Sequence, residues 1–322
     1  MVFVSMGFRF RVEVEALNMV EALGATVRHR TVSVLKKVSR NGSIVYRVVM
    51  APAISGQSIA NGYQRILVEM AKLKGMPLCD ECKRYEKRGG FTKRCTANIP
   101  HDDRVRGCVV EDLTGFLAPA EGVRRTSPVS FSFMVPDTES SKIAIDPQFH
   151  VRYNFETGEH APFTIESGTA IYMLGVSIDV DRIGKLSNGS YVNNRLARIE
   201  LAFKALSTLI EGLGFGAKKA RYLPIVETLG GIAAISKPLP FMVSPPRVYR
   251  DGRNYINDTI ERAKRYLIAL KDYGEEIAIV YMDREGIAPT DISEENIEVS
   301  RVDTVSELVD KVLDIVKTKI GQ

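Results

Sequence analysis

The chain has 322 residues, a length that fits one large domain or two ordinary ones. Hydrophobic residues make up 45% and charged residues 26%, which is typical of a globular protein and excludes a disordered, collagen-like or membrane-bundle class. The 44 lysine and arginine residues exceed the 39 acidic residues, so the net charge of +5 permits a polyanionic partner where the cations cluster.

The amino-terminal segment predicts the first core strand. Between Gly7 and Glu15 apolar residues alternate with charged ones, which is the period of a strand with one buried face. A short helical continuation is expected over ALNMVEALG. The opening MVFVSMGFRF lacks the layout of a secretion signal, and no stretch approaches the roughly 18 to 20 apolar residues of a membrane span. We therefore expect a cytoplasmic protein with no membrane partner.

Helical and strand periodicities alternate along the rest of the chain, which indicates an α+β core. The predicted helices are residues 58–74, 194–213, 258–271 and 305–320, and the predicted strands are 170–179, 225–235 and 276–282. Three long segments break the periodicity: residues 24–48, 76–107 and 119–167. Loops of this length are usually functional or disordered, so we interpret them as insertions in the core.

The cysteines form the sharpest local motif. They are Cys79, Cys82, Cys95 and Cys108, spaced C-x2-C-x12-C-x12-C. The run KRYEKRGGFTKR between them is too polar to fold around an apolar centre, so four thiolates on a structural Zn(II) ion are the favoured prediction. Disulfides and free buried thiols are the alternatives, and His101 could replace Cys95 or Cys108 as a ligand.

Three loops combine cations with backbone suited to phosphate. The first follows the first strand and contains Arg28, His29 and Arg30. The second opens the first helix at Ser55, Gly56, Gln57 and Ser58, where free backbone N–H groups and the helix dipole favour an anion. The third is GFGAKKAR, with Lys218, Lys219 and Arg221; it follows a helix and lacks the Gly-Lys-Ser/Thr ending of a P-loop.

Each of these loops alone is compatible with a solvated charged turn. Together with Arg124 and Arg125 they favour a polyanion, because counterion release rewards many spaced phosphate contacts. In FHVRYNF, alternation places His150 and Arg152 on one face of a strand-like run. That run is either an ordinary two-faced hairpin or a basic arm whose aromatic residues, Tyr153 and Phe155, stack on bases.

Five of these segments, in the same order, resemble the backbone subunit of archaeal type I CRISPR Cascade complexes, closest to the type I-A branch. They are RHRT (28–31), PAISGQSIANGYQ (52–64), GVRRTS (122–127), QFHVRYN (148–154) and GFGAKKARYLP (214–224). The resemblance implies an RRM-like (ferredoxin-like) core with inserted segments. It assigns residues 1–75 to the core with a lid loop at 24–48, 76–107 to the cysteine-rich insertion, 108–120 to the core, 121–167 to a thumb or lid, and 168–322 to the remaining core. A zinc-binding insertion is a feature of the type I-D branch.

The resemblance also implies a function. Such a subunit binds CRISPR RNA, polymerises head to tail along it with other Cascade subunits, and presents the guide for pairing with target DNA in antiviral defence. The residues that it makes candidates for RNA binding are Arg28, His29, Arg30, Ser55, Gly56, Gln57, Ser58, Arg124, Arg125, His150, Arg152, Lys218, Lys219 and Arg221.

We expect no catalysis. Related type III subunits cut RNA with an aspartate in the loop after the first strand, whereas residues 24–37 contain no carboxylate to hold a divalent cation. The alternative is a metal-dependent CRISPR RNA-processing endoribonuclease, which requires a general base such as His29 or His150. A protein interaction scaffold without RNA is a third hypothesis.

Overall fold

The computed structural model describes residues 1–41, 43–87, 90–289 and 297–321, and these form a mixed α+β structure. The strands are β1 (Phe3–Glu15), β2 (Met19–Leu23), β3 (Thr26–His29), β4 (Thr31–Arg40), β5 (Ser43–Pro52), β6 (Phe116–Ala118), β7 (Val123–Arg125), β8 (Val129–Phe131), β9 (Val135–Pro136), β10 (Ala144–Tyr153), β11 (His160–Asp179), β12 (Ile225–Lys237), β13 (Glu276–Asp283) and β14 (Glu298–Val302). The helices are α1 (Gly56–Leu73), α2 (Asp80–Lys83), α3 (His101–Gly107), α4 (Val109–Thr114), α5 (Arg195–Glu211), α6 (Tyr255–Ala269) and α7 (Val305–Ile320).

A ten-stranded sheet organises the molecule, with β1 at its centre. The main strand order is β14-β13-β12-β1-β11-β3-β2, and β8, β9 and β10 also pair with β11. The alternating sequence of β1 buries Val4, Met6 and Phe8 on one face, which α1, α5 and α7 cover. Helix α6 packs on the opposite face of the sheet, against β12 and β13.

The predicted helices are confirmed, and the capping residues explain where they begin. Helix α1 starts two residues earlier than expected because the Ser55 hydroxyl accepts a hydrogen bond from the Ser58 N–H. Helix α6 starts three residues earlier because the side chain of Asn254 accepts two backbone N–H bonds. Helix α7 matches its predicted bounds and begins with a capping box formed by Thr304 and Glu307.

The expected helical continuation of the first strand is wrong. Residues 19–23 form β2, which turns at Gly24 and pairs with β3. Gly24 has a φ of +60°, a conformation that favours a chain reversal over a helical turn. Hydrogen bonding to a neighbouring strand overrides the helical spacing of this short segment.

Two of the segments predicted as irregular contain strands. Residues 24–48 hold β3 and most of the long β4–β5 hairpin, and residues 119–167 hold β7 to β10 and the beginning of β11. The prediction fails because β11 has 20 residues and supplies backbone partners to β8, β9 and β10 along its length. The structure agrees better with the prediction for residues 76–107, which contain two short helices, α2 and α3.

In the described part of the chain, no helix combines the length and the apolar character that a membrane crossing requires.

Candidate nucleic-acid interface

Three predicted loops meet in one groove beside the first half of α1. This first groove has a volume of about 450 Å³. It is lined by Leu17, Asn18, Met19, Arg30, Ser55, Gln57, Ser58, Asn61, Gly62, Arg65 and the glycine-rich loop 214–217. The fold therefore joins the loop after the first strand, the start of the first helix and the glycine-rich loop.

Backbone hydrogen bonds and a close contact hold the walls of the first groove together. Asn18 accepts the Ser55 N–H through Oδ1 and the Arg30 N–H through its carbonyl, both at 2.8 Å. The Ala217 N–H donates to the Leu17 carbonyl at 2.8 Å. Gly62 lets α1 approach the glycine-rich loop, since a Cβ at this position would lie 2.4 Å from the Gly214 carbonyl oxygen. Specific contacts within the fold therefore define the first groove.

The cations around the first groove differ in whether other groups of the protein already bind them. Buried Nε of Arg30 has no hydrogen-bond partner among the described residues. Lys218 and Arg221 are exposed, and Lys218 adopts a left-handed backbone conformation with a φ of +58°. The ammonium of Lys219 donates to the Leu213 carbonyl at 2.7 Å, and burial together with the charge of Arg65 lowers its pKa. Lys218 and Arg221 are therefore the more accessible cations of this loop.

A second groove, of about 540 Å³, lies on the other side of α1. One wall carries Gln57, Asn61 and Gln64, and the other carries residues 91–93, 114–117 and Arg125. Gln57 and Asn61 line both grooves, so the two grooves adjoin along the first turns of α1. Sequence reasoning missed the contribution of residues 91–93 because it treated the cysteine-rich segment only as a metal site.

Two predicted residues at the start of α1 have structural roles. The hydroxyl of Ser55 is engaged in capping the helix. Gly56 packs against the backbone of β8, where a Cβ would lie 2.6 Å from the Phe131 carbonyl oxygen. Gln57 is exposed, and Ser58 is half-buried, beside this cap.

The side chains of Arg28, His29 and Arg30 lie in different surroundings. His29 is buried, its Nε2 lies 2.6 Å from Glu15 Oε1, and its Nδ1 lies 2.8 Å from the Arg30 carbonyl oxygen. Burial lowers the pKa of His29, but the hydrogen bond and the charge of Glu15 outweigh burial and raise it overall. Arg28 is exposed and lies 3.9 Å from Glu166. Only Arg30 of this trio lines the first groove.

Arg125 is held by internal partners at the edge of the second groove. Its guanidinium lies 2.5 Å from Asp112 Oδ1 and also donates to the carbonyls of Lys185 and Arg182. Burial lowers the pKa of Arg125 in spite of the carboxylate. Arg198 shares the same buried Asp112, at 2.8 Å. Arg124, by contrast, is exposed on β7.

The β10–β11 hairpin connects to the basic loop. His150 stacks on Phe163 with ring centroids 5.2 Å apart, and its Nε2 bonds to the hydroxyl of Tyr222. Tyr222 in turn donates its backbone N–H to the Lys218 carbonyl at 3.0 Å. The Arg152 guanidinium also lies over the Phe163 ring, as the predicted common face of His150 and Arg152 requires. The candidate residues of the hairpin and the basic loop therefore lie on a connected surface.

Aromatic residues extend toward the end of this hairpin. Tyr153 contacts Phe155 edge-on, with centroids 4.8 Å apart, and also contacts His160. Phe155 is 89% exposed, so its ring is available to a partner.

Three of the four cysteines come together, and this buried group could hold a metal ion. The sulfur atoms of Cys79, Cys82 and Cys108 all lie within 4.8 Å of one another. Tetrahedral Zn(II) with bonds of about 2.3 Å needs sulfurs about 3.8 Å apart, which the arrangement accommodates. Hydrogen bonds from the thiols of Cys79 and Cys82 hold the pKa of Cys108 well below its usual range. Cys95 is half-buried and is not part of the cluster.

His101, the alternative ligand, is engaged elsewhere. Its Nδ1 lies 2.8 Å from Asp102 and 3.2 Å from the Ser187 hydroxyl, and its ring packs against Phe116. The disulfide alternative is not realised, since all four cysteines are free thiols in the structure.

Arg104 organises the polar cysteine-rich segment, a role that sequence reasoning missed. It is fully buried and donates to the carbonyls of Lys93, Arg94, Ala97 and Ile99 at 2.6 to 3.3 Å. A buried guanidinium can satisfy several carbonyls at once because it carries five N–H donors. The segment therefore has a polar centre of its own in addition to the cysteine cluster.

Comparisons with known proteins give consistent matches. The family model of the CRISPR-associated negative auto-regulator DevR/Csa2 matches residues 6–260. The CRISPR-associated protein Cas7/Csa2 1 of Saccharolobus solfataricus is 35% identical over 79% of this chain and 85% of its own length. The aCascade subunit Cas7/Csa2 2 of the same organism is 31% identical over 80% and 86%.

The fold also has a counterpart among solved structures. A chain of a CRISPR RNA-guided surveillance complex superposes with a TM-score of 0.54, covering 98% of this chain and 99% of that chain. The sequence identity is 12%, so this likeness concerns the fold alone.

Proposed function

Because the chain belongs to the DevR/Csa2 family of CRISPR-associated proteins, we propose that it is a CRISPR RNA-binding backbone subunit of a type I Cascade effector complex. The observation that carries this proposal is the pair of adjoining grooves along α1. Their lining unites the start of a helix, a glycine-rich loop and cationic side chains. These are the groups that bind a chain of phosphates.

The proposed recognition is independent of base sequence. Backbone N–H groups and the cations Arg30, Lys218 and Arg221 bind phosphate oxygens, which are the same at every nucleotide. The bases remain free to pair with target DNA, so pairing supplies the specificity. Arg28, Arg124 and Arg152 are exposed, so we propose that they are further cations available to the RNA.

We assign His29, Ser55 and Gly56 to supporting roles in this function. His29 is paired with Glu15, Ser55 caps α1, and Gly56 packs against the backbone of β8, so these residues support the groove and do not contact RNA themselves. Arg125 and Lys219 lie beside the grooves, but their charged groups already have partners: Asp112 and carbonyls for Arg125, and the Leu213 carbonyl for Lys219.

The remaining features fit the same architecture. We propose that β1, β11, β12 and β13 with α1 and α5 form the RRM-like core. The β10–β11 hairpin would be the thumb, with Tyr153 and Phe155 placed to stack on bases. We propose that copies contact one another head to tail without closing into a ring, so that the assembly would grow along the RNA beside other Cascade subunits.

We propose a structural metal, zinc, at the cysteine cluster. Three thiolates would hold it, and the ion would supply a cross-link between two chain segments that both pack on the main apolar core.

We propose that the subunit is not a nuclease. The endoribonuclease alternative needs a general base within reach of the RNA, but His29 is buried with both ring nitrogens beside Glu15 and the Arg30 carbonyl, and Nε2 of His150 is bonded to Tyr222. Both bases that the sequence offered are thus engaged by other side chains.

One binding experiment tests the function. Labelled CRISPR repeat RNA and an unrelated RNA of equal length are titrated with the protein at several salt concentrations, with and without EDTA. We expect equal affinities for the two RNAs under each condition, a clear salt dependence and intact RNA. A flat salt dependence would favour the protein interaction scaffold, and EDTA-sensitive cleavage products would establish the nuclease.

A further inference from the structure

The cysteine-rich segment supplies one wall of the second groove. Phe91, Thr92 and Lys93 face Gln57 and Gln64 of α1 across this groove. The groove therefore depends on how firmly the turn around Lys93 is fixed to the rest of the molecule.

This turn is fixed through α3 and α4. The Lys93 ammonium donates to the carbonyls of Thr114 and Gly115, at 2.9 and 2.8 Å, at the end of α4. Arg94 bonds to buried Glu111 of α4, and Arg104 of α3 donates to the carbonyls of Lys93 and Arg94. Both Lys93 and Arg94 have positive φ angles, so these contacts hold a backbone shape that is otherwise unfavourable.

The cysteine cluster connects α3 and α4 to α2. Cys108 lies at the junction of α3 and α4, and Cys79 caps the four-residue α2 that also contains Cys82. One backbone hydrogen bond, from the Val109 N–H to the Pro77 carbonyl, joins the same two segments. A cross-link at this junction would thus tie the groove wall to the chain that leaves α1.

We propose that Cys79, Cys82 and Cys108, without Cys95, bind one thiophilic divalent metal ion such as zinc, and that this ion fixes the Phe91–Lys93 wall for RNA. The proposal rests on the proposed RNA-binding function for its second half only. Three protein ligands leave a fourth position for a small non-protein ligand.

The charge balance supports this arrangement. Three thiolates and one divalent cation carry a net charge of −1, which a buried site must compensate. Lys93 and Arg94 contact α4, the helix that begins directly after Cys108. The cations that shape the groove wall thereby also balance the metal site.

Metal and RNA binding should then be linked. If the metal raises the affinity for RNA, RNA must raise the affinity for the metal by the same factor. We expect a factor of about five or more, within the usual range for coupled sites.

The test uses Cys108→Ser with Cys95→Ser as its matched control. Each full-length variant is dialysed against zinc chloride, its zinc content is measured by mass spectrometry, and its affinity for a labelled RNA is measured by fluorescence anisotropy. We expect one zinc per chain in the wild type and in Cys95→Ser, and none in Cys108→Ser. Chelation should weaken RNA binding by the wild type about fivefold or more, and added zinc should restore it.

If Cys108→Ser fails to fold, the RNA affinity of the wild type with and without chelator still tests the coupling between metal and RNA. Loss of zinc from Cys95→Ser would overturn the three-ligand site in favour of four cysteines. Removal of zinc without any change in RNA affinity would overturn the coupling while leaving the proposed function intact. Absence of RNA binding by the zinc-loaded wild type would overturn the proposed function and the coupling, while the zinc content would still decide the ligand set.

Discussion

The cations of the candidate interface differ in what already binds them. Arg125 has a carboxylate and three carbonyls as partners, and Lys219 has one carbonyl, whereas Lys218 is exposed at a left-handed turn. A charge that is already compensated gains less from a phosphate than an exposed one. The residues most able to bind RNA are therefore those with the fewest internal partners.

We expect Lys218→Ala to weaken binding to all RNA sequences alike. Loss of one phosphate contact should reduce the magnitude of the slope of log K against log salt by about 0.7, the value for single strands. Anisotropy titrations with two unrelated RNAs measure both effects. Lys311→Ala on α7, whose side chain is also exposed, is the control and should bind like the wild type. A loss confined to one RNA sequence would contradict backbone recognition.

Buried His29 leads to a prediction about pH. Glu15 raises its pKa above the usual 6.5, so the folded state binds the proton more tightly than the unfolded state. This contribution to stability is fully present below the ordinary pKa and is lost as the pH rises through the raised value. We expect His29→Gln to lower the free energy of unfolding by about 3 kcal/mol in acid, because a buried pair loses one partner.

The difference between wild type and His29→Gln should shrink as the pH increases above the ordinary histidine pKa of about 6.5 and through the raised value. Thermal unfolding across this range measures it. His160→Gln, in the exposed β10–β11 hairpin, is the control for the histidine-to-glutamine substitution itself. A His29→Gln effect that grows with pH would show that the buried ring is neutral in the folded state.

At the scale of elements, the first groove depends on the contact between α1 and the glycine-rich loop. In Gly62→Ala the new Cβ would lie 2.4 Å from the Gly214 carbonyl oxygen and 2.9 Å from Phe215 Cα. Alanine is a better helix former by about 1 kcal/mol, but overpacking against backbone costs about 1 to 3 kcal/mol and usually prevails. We expect lower stability and weaker RNA binding because the helix must move away from the loop.

Chemical denaturation and anisotropy measure the two effects of Gly62→Ala. Gly321→Ala, at the end of α7, is the control, because its nearest contact would be 3.4 Å from Lys317 O. A Gly62→Ala protein with unchanged stability and unchanged RNA affinity would show that the close contact does not define the groove.

The elements also show how far sequence reasoning reaches. Local signals sufficed for α7, whose cap and apolar face agree, and they located β1, although the charged residues Arg9 and Glu15 of that strand are buried and Val14 is exposed. Strands β8 to β10 depend on partners in β11 that lie as far as 49 residues away in the sequence, as Ile178 does from Val129, so no local pattern identifies them.

The candidate site, too, was only partly predictable from the sequence. The sequence identified the helix start and the glycine-rich loop, which the fold brings into one groove. It could not separate exposed Lys218 from buried His29, because burial is decided by Glu15 and Tyr172 on distant strands. The contribution of Lys93 likewise depends on the folded path of the cysteine-rich segment.

At the scale of the whole molecule, the two grooves adjoin along α1 and the basic loop continues to the β10–β11 hairpin. A surface of this kind can bind consecutive stretches of one RNA in successive copies of the protein. If copies contact one another head to tail without closing, as proposed, the RNA length should set the number of copies.

We expect the mass of the complex to increase in steps of one 35.7 kDa chain as the RNA is lengthened. Native mass spectrometry on a series of RNAs measures the number of copies, and the shortest RNA that binds one copy serves as the control. Each added step should leave the protein mass per length of RNA constant, because every copy makes the same contacts with phosphate. A single copy on every RNA, or an oligomer of fixed size without RNA, would contradict growth along the guide and would leave RNA binding as a property of isolated subunits.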